Sequence, residues 1–406
     1  VTSPAAPSPE RFSGYHYLLL VLLGVATLYE GFDASMLTLA SVDVRKTLHI
    51  STGEWGTIYT ITRFGVVGSF FFLMCADRFG RKPVMLLSVA GFAITCGATS
   101  LAQTTLEFTL WQTLARLFLT AQYGLAIVMA GEELPASLRA RGITLLTSLA
   151  AVGTVVMAQV QPFFLLIDKP GALPPEGNWA HDTALVVVGQ IANALEIPFD
   201  GAHWRGLYLI GAFPILLVPI LMAAMRETTR YREVAAARGA TSLRAVIGEQ
   251  SKDVRQLFSP RYIKRFGIVS LLWNCVHLVT APSVAYWSIY AREEVGMTPA
   301  QVGDVVSWAY VFGAVGHLLS GQLVDRVGRK GTCAAFFALG AVAIVMLFQT
   351  NTTFGQYFWH ISTVFLLNAA IGATHVYASE LFPTQLRATG YGWTTNLFGR
   401  ATEVIV

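Results

Sequence analysis

Eleven stretches of this chain run apolar for roughly twenty residues each, about the number an α-helix needs to cross the ~30 Å hydrocarbon layer of a bilayer. Backbone N–H and C=O groups find no water in that layer, so such segments are confined to helices, which satisfy those groups internally. The runs place helices near 17–41, 54–75, 84–101, 107–130, 142–166 and 205–225, then near 263–291, 299–323, 332–350, 355–379 and from 388 onward. Charged residues make up 13% of the chain, about half the share in a soluble globular domain. The expected fold is therefore all-α and solvated by lipid.

A second feature divides these helices. Asp77-Arg78-Phe79-Gly80-Arg81-Lys82 recurs 248 residues later as Asp325-Arg326-Val327-Gly328-Arg329-Lys330. Glu132-Glu133-Leu134-Pro135 through Arg139 recurs at the same shift as Glu380-Leu381-Phe382-Pro383 through Arg387, and Gly65 and Gly68 map onto Gly313 and Gly316. Agreement of three elements at one offset marks a duplicated six-helix unit. The division expected is a disordered cytoplasmic tail over 1–16, an amino-terminal bundle over 17–225, a linker over 226–262 and a carboxy-terminal bundle over 263–406. By the duplication, the second bundle is expected to be cut within its eleventh helix and to lack a twelfth.

Charge sets the expected orientation. The linker carries Arg226, Arg230, Arg232, Arg238, Arg244, Lys252, Arg255 and Arg261, and the repeated loops add Arg78, Arg81, Lys82, Arg139, Arg141, Arg326, Arg329, Lys330 and Arg387 on the same side. Arg45, Lys46, Lys169 and Arg292 stand opposite. Positive residues stay inside, so the amino terminus is expected in the cytosol and the formal charge of +4 is a topology signal rather than a nucleic-acid patch. The loop 167–204 contains a 14-residue apolar stretch too short to span, read either as a lid or as an idle insertion. Cys75, Cys96, Cys275 and Cys333 sit in or beside apolar segments without metal or redox spacing.

The paired Asp-Arg-x-Gly-Arg-Lys loops, the paired Glu-x-x-Pro-x-x-x-Arg loops and the polar central linker resemble the major facilitator superfamily, and within it the branch of sugar porters, organic-ion carriers and aromatic-acid/proton symporters. Glu30-Gly31-Phe32-Asp33 is similar to the Asp-Gly-x-Asp signature of the aromatic-acid symporters, with Glu in place of the first Asp. The sugar-porter Gln-Gln-x-x-Gly is missing from the seventh helix, which reads Leu272-Trp273-Asn274-Cys275-Val276-His277. The resemblance implies a plasma-membrane carrier that works as a monomer. It also implies that Asp77, Arg81, Glu132, Arg139, Asp325, Arg329, Glu380 and Arg387 form inter-helix and inter-half salt bridges that hold one conformation.

Ionisable residues inside the apolar runs are few, and each is a functional hypothesis because its burial costs several kcal/mol unless it is paired or hydrated. Glu30 and Asp33 lie one turn apart in the first run, Arg63 in the second and Arg116 in the fourth. At 1.5 Å per residue all four reach one plane, and none has a charged counterpart at the repeat offset. Asp33 with Glu30 is expected to exchange a proton, and Arg116, with Arg63, to hold an anionic substrate. In the second half, Trp273, Asn274, His277, Tyr286, Tyr310, His317, Asn368, His375, Tyr377, Asn396 and Arg400 are candidate cavity residues, Arg400 the foremost for an anion.

With no G-x-x-x-x-G-K-[ST] in the chain, the expectation is a carrier without ATP, metal or cofactor, driven by a gradient with the proton as coupling ion. The first reading is symport of a small organic anion, an aromatic or related monocarboxylate. The alternatives are an organic-cation, sugar or drug carrier, and a transport-inactive receptor on the same scaffold.

Overall fold

A computed structural model describes residues 12–135, 139–165, 190, 194, 204–229, 231–233, 255–280, 283–284, 286–382, 390 and 393–399. The described residues form helices and connecting turns, with no strand among them. In chain order they are α1 (Gly14–Leu39), α2 (Ser41–Thr47), α3 (Thr52–Phe79), α4 (Arg81–Ser100), α5 (Thr105–Glu133), α6 (Arg139–Leu165), α7 (Trp204–Gly211) and α8 (Leu217–Ala224). The second set comprises α9 (Ile263–Thr280), α10 (Trp287–Glu293), α11 (Pro299–Val327), α12 (Arg329–Gln349), α13 (Thr353–Leu381) and a π-helical turn, Trp393–Phe398.

Among the described residues, six helices are long and apolar enough to cross a membrane, from Gly14–Leu39 to Arg329–Gln349. Large apolar side chains such as Val21, Leu87, Ile94, Leu271, Leu318 and Val342 are exposed, which is the arrangement expected when the solvent is hydrocarbon. The repeat is visible in the element ends. Shifted by 248, α5 coincides with α13 and the start of α4 with that of α12. Gly80 and Gly328 turn the chain in the same way, at φ 102° and 95°, backbone conformations that an L side chain rarely adopts.

The repeated glycines within helices mark crossings. A Cβ on Gly65 would stand 2.3 Å from the Thr113 carbonyl oxygen, and one on Gly316 would stand 2.4 Å from that of Phe365. Thus α3 lies backbone to backbone on α5, and α11 on α13, as small residues permit between apolar helices. Gly31 and Gly153 do the same for α1 and α6: a Cβ on either would meet the opposite backbone at 1.7 and 1.8 Å. Gln122 and Gln161 of α5 and α6 donate to the Ala26 and Leu39 carbonyls of α1, each at 2.7 Å.

Three expected helices are modified. The single span over 263–291 shows two described α-helices, α9 and α10, with π-helical residues at 283–284 between them. The span over 205–225 contains a 3₁₀ turn, Phe213–Leu216, with Pro214 at its start. The first span ends at Leu39, and a short helix, Ser41–Thr47, follows. Arg205, which the charge argument passed over, lies at the end of the bundle opposite the repeated loops, where it is buried and donates to the Ser100 and Ala102 carbonyls at 2.8 and 2.7 Å. Of the tail expected to be disordered over 1–16, residues 1–11 lie outside the described residues, as do most of the 167–204 loop and most of the linker; residues 14–16 instead begin α1, capped by Ser13.

Candidate functional site

Three of the four in-span charges meet. Arg116 of α5 ends 3.4 Å from Asp33 and 4.0 Å from Glu30 of α1, and Arg63 of α3 acts electrostatically on the same Asp33. Glycines bring them there. Gly31, between the two acids, seats α1 against α6, and Gly65, two residues from Arg63, lets α3 approach the Cβ of Arg116. The cluster is graded in access: Asp33 is 1% exposed and Arg116 5%, while Glu30 keeps 20%. The second Asp33 oxygen, Oδ1, is buried without a hydrogen-bond partner among the described residues.

Beside this cluster stands a tyrosine group. Arg63 donates through Nη2 to the Tyr59 hydroxyl, one turn earlier on the same helix face, and its guanidinium lies 4.4 Å from the centre of the Tyr59 ring. Tyr286, at the start of α10, sets its ring 5.7 Å from that of Tyr59. Tyr310 of α11 is within electrostatic reach of Tyr59. Tyr286, one of the expected second-half residues, thus packs against the tyrosine that holds Arg63. Tyr59 is the member that the sequence argument did not single out.

The other second-half candidates separate into three groups. Trp273 stacks on His277 at 5.9 Å and meets His375 edge-on at 4.6 Å, with His317 at 6.2 Å from His375. These side chains, taken one at a time in the sequence, form one aromatic cluster between α9, α11 and α13. Asn274 and Asn368 donate to the Ser270 and Val364 carbonyls of their own helices at 2.8 and 2.9 Å. Asn274 donates to the Phe398 carbonyl at 2.6 Å and so ties the π-helical turn to α9, while Asn368 lies against Gly313. Tyr377 lines a surface depression at the repeated loop with Val327, Gly328, Arg329, Lys330, Gly331 and Leu381, which takes it away from the interior. The Asn396 side chain and Arg400 lie outside the described residues.

Of the expected gating set, Arg81 and Glu132 pair through two hydrogen bonds at 3.2 and 3.0 Å. The pair joins α4 to α5 within the amino-terminal repeat. The sequence argument missed its partners. Glu227 accepts from the Arg81 and Lys82 backbone N–H groups at 3.0 and 3.1 Å, capping α4, and Thr228 donates to Glu132 at 2.6 Å. Arg329 opens α12 beside the Tyr377 depression. The side chains of Asp77, Arg139, Asp325 and Glu380, and all of Arg387, lie outside the described residues.

At the opposite end of the bundle, residues first used only as topology signals tie the repeats together. Arg292 of α10 grips Asp43 of α2 at 2.5 and 3.0 Å, and Arg45 reaches Glu293 at 3.0 Å. Ser288 donates to the Thr38 carbonyl at 2.8 Å, and Gln159 of α6 donates to Ser307 of α11 at 2.7 Å. Arg45 and Glu293 are 248 residues apart, the repeat shift itself. A sequence signal for this latch was therefore present.

Comparison with known proteins agrees with this architecture. The sequence profile of the Major Facilitator Superfamily matches residues 23–402. The chain is 23% identical to the niacin transporter NiaP of Acinetobacter baylyi, over 97% of this chain and 87% of that one. It is 24% identical to the gallate transporter of Pseudomonas putida, over 94% and 82%. Among solved structures, that of a bacterial homologue of the human lysosomal transporter Spinster superposes with a TM-score of 0.75 at 16% identity, covering 97% of this chain and 82% of that one. Helices fit to cross a membrane, a 248-residue repeat carried into the element ends and a family match over nearly the whole chain lead to one assignment: this protein belongs to the Major Facilitator Superfamily and is a multi-pass membrane transporter, not an enzyme.

Proposed function

We propose that this protein is a proton-coupled symporter of a small aromatic carboxylate. The observation that carries the reading is the sharing of Arg116 between Asp33 and Glu30 inside the span. Glu30, Asp33, Arg63 and Arg116 together bear two negative and two positive formal charges. A proton alone, or an anion alone, leaves this buried group with a net charge, which is costly away from water. A proton and an anion together restore neutrality. The empty and the doubly loaded carrier are then the two forms able to change conformation, and that is symport.

Within this scheme the proton goes to Asp33, the more deeply buried of the two acids. Protonation withdraws one of the two carboxylates from Arg116 and leaves positive charge for the substrate. Niacin and gallic acid, named for the two relatives, are each an aromatic ring bearing one carboxyl group, which supports the substrate class. The positive-residue bias supports repeated loops facing the cytosol and the Asp43–Arg292 end facing outward; the family resemblance supports a monomeric carrier in the plasma membrane, and the lack of a G-x-x-x-x-G-K-[ST] motif supports a carrier that draws no energy from ATP.

Uptake of radiolabelled nicotinate into proteoliposomes tests the reading. An inward proton gradient is expected to drive accumulation above the level in protein-free vesicles. Uptake of tetraethylammonium or glucose with none of nicotinate or gallate would favour the organic-cation or sugar alternatives, and binding without uptake would favour a receptor.

A further inference from the structure

We propose that His360 makes the latch responsive to pH: its neutral ring, stacked on Trp287, seats α10 on the second repeat, and a proton gained from the solution at that end parts the stack and loosens the closure. His360 lies outside the Asp33 cluster, and its role is independent of the substrate.

The latch helix is a wedge with two working faces. Ser288 and Arg292, one turn apart on α10, hold Thr38 and Asp43 of the first repeat. Trp287 and Tyr290, also one turn apart, hold the second. Tyr290 donates to Asn351 at 2.9 Å, and the Trp287 indole N–H donates to Gln356 of α13 at 2.8 Å. Trp287 is fully buried, and its ring lies on that of His360, with centres 3.7 Å apart and planes inclined at 24°. The grip of α10 on the first repeat therefore depends on a ring that His360 seats.

His360 is 1% exposed, and neither Nδ1 nor Nε2 has a hydrogen-bond partner among the described residues. Gln356, one turn earlier, is already committed: its side-chain oxygen accepts from Trp287, and its amide donates to the Leu347 and Thr350 carbonyls. The charged and titratable groups on the surrounding elements are committed too. On α10, Arg292 and Glu293 hold Asp43 and Arg45, and Tyr290 holds Asn351. On α11, Asp304 accepts from Tyr357 of α13 at 3.3 Å, and Tyr310 completes the set; α12 carries its charges at the repeated-loop end. Among the described residues, no acid or base acts on the imidazole.

Such a place suits the neutral ring alone. An imidazolium has two N–H donors, and here both would be buried without an acceptor. The attraction of a cation to an indole face is real but the smaller effect; the cost of an unpaired charge away from water outweighs it. Once α10 lifts and water reaches the ring, the imidazole can take a proton in its ordinary range, near pH 6.5. A proton bound by one form alone shifts the balance toward that form. The closed end is therefore favoured above about pH 7, and by about pH 5.5 the opened form gains roughly tenfold.

Distances between spin labels at Lys46 of α2 and Glu294 at the end of α10, both exposed, test the assignment on the purified full chain between about pH 8 and pH 5.5. In wild type the ratio of open to closed distances is expected to rise about tenfold as the pH falls across that interval. His360→Phe keeps a ring against Trp287 but takes no proton, so its ratio should stay at the value found at the high-pH end. His360→Gln should be equally insensitive, and it decides by the same readout should the phenylalanine variant fail to fold. His49→Gln removes the exposed histidine that follows α2 and should keep the full rise. A wild-type ratio that ignores pH, a rise that persists in the His360 variants, or one lost in His49→Gln would overturn the assignment, and each of these results would leave the carrier reading standing.

Discussion

Arg116 and Asp33 face each other at 3.4 Å from different helices, with 5% and 1% of their side chains exposed. A buried pair in this position is much more costly to break than it is stabilising to form, because removal of one partner strands the other charge. Arg116→Ala, which strands Asp33 and Glu30 together, is expected to destabilise the protein by on the order of 3 kcal/mol. The double variant Asp33→Asn, Arg116→Gln should recover much of that loss. Thermal unfolding in detergent reads both, and additive losses would mean that the pair is not energetically coupled.

The Asp43–Arg292 and Arg45–Glu293 pairs hold the end of the bundle opposite the repeated loops. Asp43→Asn is expected to favour separation at that end by on the order of 2 kcal/mol, about thirtyfold in populations. Spin labels at Lys46 and Glu294, both exposed, should report a longer mean distance. The exchanged pair Asp43→Arg with Arg292→Asp should shorten it again. An unaltered distance distribution in Asp43→Asn would remove the latch from the account.

Helix crossings make a third prediction. A Cβ at Gly31 would stand 1.7 Å from the Ala150 carbonyl oxygen, whereas one at Gly131 would meet nothing within 4 Å. Gly31→Ala should cost about 2 kcal/mol or more by overpacking and should shift Glu30 and Asp33 away from Arg116. Gly131→Ala should be neutral or slightly stabilising, since alanine is the better helix former. Melting temperatures of the two variants separate these outcomes.

These cases indicate which parts of the molecule were readable in advance. A charge within an apolar run is so costly that Glu30, Asp33, Arg63 and Arg116 could be singled out one by one, and the structure brings Glu30, Asp33 and Arg116 within 4.0 Å. Asp43, Arg45, Arg292 and Glu293 escaped the same test because charges are ordinary at the ends of spans, where water is near. Tyr59 escaped because an aromatic residue in a lipid-solvated helix is unremarkable until its neighbours are known. His277, His317 and His375 come from three helices, and no local pattern connects them before the helices pack around Trp273.

The central claim is the coupling of proton and substrate through Asp33, and its most direct test is substrate-induced proton movement in proteoliposomes loaded with a pH-sensitive dye. Addition of nicotinate to vesicles containing the wild-type protein should acidify the lumen faster than in protein-free vesicles, which report any diffusion of the undissociated acid. Asp33→Asn should abolish the protein-dependent acidification while still exchanging labelled for unlabelled nicotinate. Substrate entry without proton entry in the wild type, or acidification unchanged in Asp33→Asn, would contradict the account.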